Sequence, residues 1–506
     1  MTLPVRPHRD DILRLAASGR PQEAAQRIEA LRRANPNDPE PPTLQGELLA
    51  GAGHLQHAVS AFGQALRLNP DYAPALHGRA AAKLALADVE AARADFDRLV
   101  ALDPGDADAL AQLADLAARR GDTVDARELA ARAQAADPGN PVAALVTASA
   151  LITERAFDGA AQVLHAVLAG SRLTPLNRAI ANSLLGDALD GLKRHAEAFE
   201  AYRRANDQLA RLYAPMLARA EKDSALGHAR RVAAWFERLP AGPWAPPAPA
   251  AQGPARVHVF LVGFPRSGTT LLEQVLAGHP DVVALEEKGT LEDAVRTWFV
   301  DDAGLERLRR AGEAELAPLR EAYWRRVKAY GAEVAGKVFI DKMPLNTVLL
   351  PVIERLFPDA RILFAVRDPR DVALSAFRRR FGMNPAMYQL LTLEGAARYY
   401  DAVMGLAELY RTRLTLNLRE VRYERLVEDF EAEAKALAAF VGVDWTPAMA
   451  DFAATARARP VSTPSSRQVS RGLYREGMAQ WRPYAEALAP VLPLLDPWVE
   501  RFGYPP

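Results

Sequence analysis

The chain has no cysteine, no excess of either charge sign and no long apolar run, and each absence removes a class of function. Without cysteine there is no disulfide, no thiolate metal site and no thiol nucleophile, so any chemistry must use other side chains, and the composition agrees with a reducing compartment. Lys+Arg and Asp+Glu both number 63, which argues against a general nucleic-acid or anionic-membrane surface but leaves room for a local basic pocket. No stretch supplies the roughly 18 consecutive apolar residues of a membrane span. The charged, proline-broken start Met1-Thr-Leu-Pro-Val-Arg-Pro-His-Arg-Asp-Asp does not read as a secretory leader. These features predict a cytoplasmic protein that binds neither nucleic acid nor membrane. What the chain does have is length: at about 100–200 residues per domain, 506 residues require roughly two to four domains.

Asn35-Pro36, Asn69-Pro70, Asp103-Pro104 and Asp137-Pro138 recur at intervals of 34 residues. Twelve residues before each proline stands a small residue, Ala24, Ala58, Ala92 and Ala126, and Ala160 and Ala198 continue the row. Four residues further on are Ile28, Phe62, Phe96, Ala130, Leu164 and Tyr202, bulky in all but one case. Gly46 and Gly186 lie twelve residues before Ala58 and Ala198. Each unit carries two runs of helical periodicity, joined near Gly53, Gly121 or Leu192-Lys193 and closed by an Asx-Pro that cannot continue a helix. Small residues let two helices touch, and the bulky position fills the space between successive pairs. This pattern resembles the tetratricopeptide repeat family, in about six units over residues 5–212, the first (5–38) and fifth (141–176) degenerate. Such a solenoid serves equally as a spacer, a homodimerisation module or a groove for a peptide or protein partner. Residues 213–239 continue in helical pattern and read as a capping helix.

Proline then dominates residues 240–256, a semi-rigid linker. Beyond it the periodicity changes kind. Val257-His-Val-Phe-Leu-Val262 is a short buried strand that runs into Gly263-Phe-Pro-Arg-Ser-Gly268-Thr-Thr270 and a helix from Leu271. Strands at 338–340, 362–366 and 416–421 alternate with helices within 306–330, 345–356, 371–380 and 395–411, so 257–506 is expected to be one α/β domain on a parallel sheet. The glycine loop has Walker A spacing, but Thr269 stands where that motif places lysine. Without the lysine, γ-phosphate chemistry loses its cation. An anion cradle remains, built from backbone N–H groups, the helix start, the hydroxyls of Ser267, Thr269 and Thr270, and Arg266.

Pro265-Arg266-Ser267-Gly268-Thr269-Thr270-Leu271-Leu272, followed by His279-Pro280 and Glu286-Glu287, resembles the 5′-phosphosulfate loop of sulfotransferases. Phe364-Ala-Val366-Arg367-Asp368-Pro369-Arg370-Asp371-Val372-Ala373-Leu374-Ser375 resembles their 3′-phosphate loop. The pattern is similar to tyrosylprotein sulfotransferases and to bacterial proteins that join tetratricopeptide repeats to a sulfotransferase domain. The resemblance spans about residues 257–490 and implies a P-loop-like fold and 3′-phosphoadenosine 5′-phosphosulfate (PAPS) as sulfuryl donor, with adenosine 3′,5′-bisphosphate as product and no metal. It implies that Pro265 to Thr270 bind the donor, that Arg266 and Lys342 stabilise the departing charge, and that Glu287, 21 positions after Arg266, is the base. Arg367 and Ser375 would take the 3′-phosphate, Tyr423 would contact the nucleotide, and Arg471 would close over the donor. Glu286 is the natural control for Glu287. The sequence departs from the tyrosylprotein enzymes at Met343, where they carry an acid.

The expected activity is therefore transfer of a sulfuryl group to an acceptor hydroxyl: a peptide tyrosine, a sugar or a small molecule. Two other classes stay open on the sequence: a nucleotide kinase or NTPase, which shares the strand–loop–helix, and a non-catalytic repeat scaffold.

Overall fold

The computed structural model describes residues 9–218, 223–246, 248, 253–453 and 477–506. The chain divides after Arg194 into two units. In the first, antiparallel helix pairs follow the 34-residue period: Arg9–Ala17 with Pro21–Ala34, Glu40–Gly51 with Leu55–Leu68, Ala73–Ala85 with Val89–Leu102, Ala107–Arg120 with Thr123–Ala136, and Pro141–Thr153 with Phe157–Ala169, then Pro175–Gly191. The alanine row and the bulky row are buried throughout. Phe62 shows why the period holds: a Cβ at Gly46 or Gly78 would stand 2.7 or 2.4 Å from its ring, so each neighbouring helix must be bare at that point. The Asx side chains act as turn closures, Asn69, Asp103 and Asp137 each accepting from the N–H two residues on at 3.1, 2.9 and 3.0 Å. Between the helices of each pair one residue is left-handed: Gly19, Gly53, Ala87, Gly121, Arg155 and Lys193. Only half are glycine, which is why the sequence marks some of these turns and hides others.

The second unit contains a five-stranded parallel sheet. Its strands are β1 (Val257–Gly263), β2 (Val282–Glu286), β3 (Val338–Lys342), β4 (Arg361–Val366) and β5 (Asn417–Arg422), in the order β2-β3-β1-β4-β5. Four of these strands were expected, and β2 was not. Alternation along β1 sorts the two faces. Val259 and Leu261 join the aliphatic core with helices Thr269–Ala277 and Phe430–Val441, whereas His258 and Phe260 enter an aromatic cluster with Tyr323, Phe339 and Phe357. Among the described residues no helix is long and apolar enough to cross a membrane.

The division after Arg194 falls inside the stretch expected to be the sixth repeat, and its second helix, His195–Leu217, belongs to the second unit. The reason is its packing on helix Pro369–Arg378. Phe199 stacks on Phe377 at 5.1 Å, Asn206 Nδ2 donates to the Phe377 carbonyl at 2.8 Å, and Arg378 lies between the rings of Tyr202 and Tyr484, 5.2 Å from each. Helix Ala225–Glu237, expected as a cap on the repeats, packs on Leu393–Arg413, with Phe236 edge-on to Tyr410 at 5.0 Å. A fragment starting at Val257 is therefore expected to be less stable than one starting at His195 by about 3–5 kcal/mol, the scale of losing a buried aromatic. Equal melting temperatures of the two fragments would contradict this packing account.

Candidate active site

Chain connections leave β1 toward β2 and β4 toward β5, in opposite directions, so a crevice opens beyond the carboxyl ends of β1 and β4, where open α/β sheets bind ligands. The two loops singled out in the sequence are those two ends. Gly263 ends β1 at φ +151°, and a Cβ there would stand 2.6 Å from the Ala365 carbonyl oxygen of β4. Thr347 locks the same residue, accepting from its N–H at 2.9 Å and donating to its carbonyl at 2.8 Å. Gly268, at φ +95°, precedes helix Thr269–Ala277, and a Cβ there would lie 2.7 Å from the Tyr423 ring. Ser267, Thr269 and Thr270 are all buried around this helix start, and the backbone donors there suit an anion.

The arginines tie the two loops together. Arg266 Nε donates to Ser375 Oγ at 3.0 Å, and Arg367 Nη1 donates to the Arg266 carbonyl at 3.2 Å. Arg367 lies over the Tyr423 ring at 4.9 Å and also donates to the Gly477 carbonyl. Its Nε is buried and finds no acceptor among the described residues. Burial, reinforced by the charges of Arg379 and Arg367, pushes the Arg266 guanidinium down to about 9. A buried cluster of cations that repel one another fits a site for a multiply charged anion, because the anion removes the repulsion. Asp368 caps helix Pro369–Arg378 through the Arg370 N–H at 2.9 Å and pairs with the Arg370 side chain. Burial pushes the Asp371 carboxyl up to about 6, with Arg367 3.8 Å away.

Lys342, at the end of β3, is fully buried and faces Glu287 at 2.8 Å, Glu273 at 3.3 Å and Glu286 at 3.4 Å. Glu286 sits opposite Lys342 in the β2–β3 register, and the Glu287 N–H donates to the Lys342 carbonyl at 2.8 Å. Burial works against the ammonium, but the glutamates, led by Glu273, hold its pKa above the ordinary lysine value. Burial likewise lifts Glu273 to about 7, against the pull of Lys342. The three carboxylates differ in access: the Glu273 side chain is 5% exposed, Glu286 15% and Glu287 39%. Behind them, Asp341 is held by the hydroxyls of Thr290 and Tyr323, each at 2.7 Å, and Tyr323 meets His258 at 2.8 Å. Burial keeps that imidazole neutral, its pKa lowered to about 3.

Outside the repeat turns, the described non-glycine residues with left-handed backbone are Arg266 (φ +77°), Glu287 (φ +46°) and Ala479 (φ +55°). Such geometry costs about 1–3 kcal/mol and collects where function over-determines it. The structure thus brings Pro265 to Thr270, Arg367, Ser375 and Tyr423 into one cluster and pairs Lys342 with Glu287, while Arg471 lies outside the described residues. Sequence reasoning passed over Glu273, Thr347 and Arg379. Glu273 left a signal: a carboxylate inside an otherwise buried apolar helix needs a cation.

Residues 258–447 match the model of the sulfotransferase family. Nodulation protein NoeE of Sinorhizobium fredii is 31% identical over 215 residues, covering 38% of this chain and 51% of that protein. A protein-tyrosine sulfotransferase of Drosophila melanogaster is 27% identical over 237 residues, covering 44% of this chain and 46% of that one. The chain thus spans about half the length of these curated relatives. Among solved structures, the sulfotransferase domain of the Synechococcus PCC 7002 olefin synthase shares 25% identity, over 46% of this chain and 90% of that one, at a TM-score of 0.33. With the fold and the two loops in place, the chain carries a sulfotransferase-family domain in its C-terminal half, preceded by helical repeats of the tetratricopeptide type.

Proposed function

We propose that this protein moves a sulfuryl group from PAPS to an acceptor hydroxyl by in-line transfer. Glu287 takes the hydroxyl proton as the acceptor oxygen bonds to sulfur, and the bond from sulfur to the 5′-phosphate oxygen breaks. Arg266 and Lys342 stabilise the charge gathering on that leaving oxygen, so the product is adenosine 3′,5′-bisphosphate. The loop 265–270 would hold the 5′ end, and Arg367, Ser375 and Tyr423 the 3′-phosphate and nucleotide. The observation that carries the reading is the inequality among the carboxylates on Lys342: Glu287 is the open one, held in left-handed geometry. That choice between adjacent glutamates is what a base needs, because an acceptor must reach it. Protein-tyrosine sulfotransferase relatives support sulfuryl chemistry, and Thr269 in the lysine position of Walker A speaks against γ-phosphate transfer.

Titration calorimetry with adenosine 3′,5′-bisphosphate against ATP–Mg²⁺ tests the donor. Binding of the bisphosphate at least about tenfold tighter is expected, since only this reading uses a 3′-phosphate. Preference for ATP–Mg²⁺ would move the site to the kinase class.

A further inference from the structure

The segments that follow Glu287 and Lys342, from Lys288 and from Met343, line a half-open pocket of about 300 Å³. One wall is the turn and helix after Glu287, with Leu291 and Val295; the other follows Lys342, with Met343 and Leu349. Most charged and hydroxyl groups on these walls are already engaged, and the Asn346 amide is the further polar group that lines them. Glu292 pairs with Arg326 at 3.1 Å and Arg296 with Asp293 at 2.5 Å, the Thr290 hydroxyl donates to Asp341 at 2.7 Å, and Lys288 lies over the Tyr330 ring at 5.8 Å. What the cavity offers a guest is mainly hydrocarbon. Its volume is at the low end for small-molecule sites, enough for a ring system or a short branched chain.

We infer that this cavity receives the body of the acceptor, and that the acceptor is a compact, uncharged alcohol or phenol with an apolar body. The inference rests on the sulfuryl-transfer reading. A sugar placed here would bury most of its hydroxyls against Leu291, Val295, Met343 and Leu349 with the Asn346 amide to pair few of them, and an acidic peptide would bring carboxylates to walls that already carry Glu292 and whose Arg296 is paired. An apolar body loses water at no such cost and leaves its hydroxyl at the open end, where Glu287 accepts the proton as the new sulfur–oxygen bond forms and the bond to the 5′-phosphate breaks. Met343 is central to this selectivity, because it meets the cavity one residue from Lys342.

The test is transfer of ³⁵S from labelled PAPS by the full-length protein to 2-naphthol, cyclohexanol, N-acetylglucosamine, a neutral tyrosine dipeptide and an acidic tyrosine peptide, together with the Met343→Gln and Val295→Thr variants. Naphthol or cyclohexanol is expected to exceed the sugar and the acidic peptide at least tenfold in kcat/KM. The variants, similar in shape to the wild type, should raise KM for the apolar acceptor severalfold each, with kcat and the affinity for adenosine 3′,5′-bisphosphate retained; that affinity also reports an intact fold. Turnover of the neutral dipeptide equal to naphthol supports the same chemistry with a peptide as its source. Preference for the sugar or the acidic peptide overturns the inference, as does an unchanged KM in both variants. Failure of the wild type to bind the bisphosphate would instead overturn the sulfotransferase reading itself.

Discussion

Glu287→Gln is expected to lower kcat for sulfuryl transfer by about 10³-fold, within the range for removing a positioned general base, while the affinity for adenosine 3′,5′-bisphosphate changes little. The amide keeps an oxygen for Lys342 but cannot take the acceptor proton. Lys342 stays compensated, since Glu273 and Glu286 remain within 3.4 Å. Glu286→Gln is the matched control: its side chain is withdrawn behind Glu287, and a loss of less than about tenfold is expected. Rates of ³⁵S transfer for the two variants decide the matter. Equal losses would mean that the cluster acts only by holding Lys342, and a larger loss in the Glu286 variant would reverse the assignment of the base.

Arg367→Ala is expected to weaken adenosine 3′,5′-bisphosphate by about 30-fold to 5 × 10³-fold, the 2–5 kcal/mol typical of truncating one member of a buried, hydrogen-bonded charge pair. Affinity for AMP, which lacks the 3′-phosphate, should fall far less. Two nitrogens of this guanidinium brace backbone carbonyls, of Arg266 and Gly477, and its Nε is the donor with no acceptor among the described residues. The ratio of the two affinities therefore separates recognition from bracing. If both ligands weaken equally, Arg367 serves only to hold the loop, and the 3′-phosphate site lies elsewhere. Arg367→Lys should recover part of the charge but not the fork, because an ammonium cannot bond two carbonyls and a ligand in one plane.

The rows of Ala24 to Ala198 and Ile28 to Tyr202 were legible because a repeat brings back the same small and bulky positions at a fixed spacing, and both rows are buried throughout. The loops after β1 and β4 were legible for a related reason: buried parallel strands are short apolar runs, and each ran visibly into its loop. β2 was missed because it is a five-residue edge strand that ends at Glu286, and the pair Glu286-Glu287 reads as the solvated start of a helix. The left-handed turns at Ala87 and Arg155 carry no glycine to announce them, whereas the turn at Lys193 is read from the repeat spacing alone. The partner of helix His195–Leu217 was hidden because Tyr202 satisfies the repeat pattern whether it packs on another repeat or, as found, on Arg378.

Local sequence thus determined the periodic helices, the strand–loop–helix, the missing Walker lysine and the candidate cations, since each depends on spacing within a few turns of chain. Which glutamate is open, that Glu273 joins Lys342, and that Ser375 meets Arg266 were decided by the tertiary fold. Those relations arise where β2 pairs with β3 and β1 with β4, bringing together side chains far apart in the chain. Burial there strengthens every charge interaction, and neither burial nor proximity across strands is written in the neighbours of a residue along the chain.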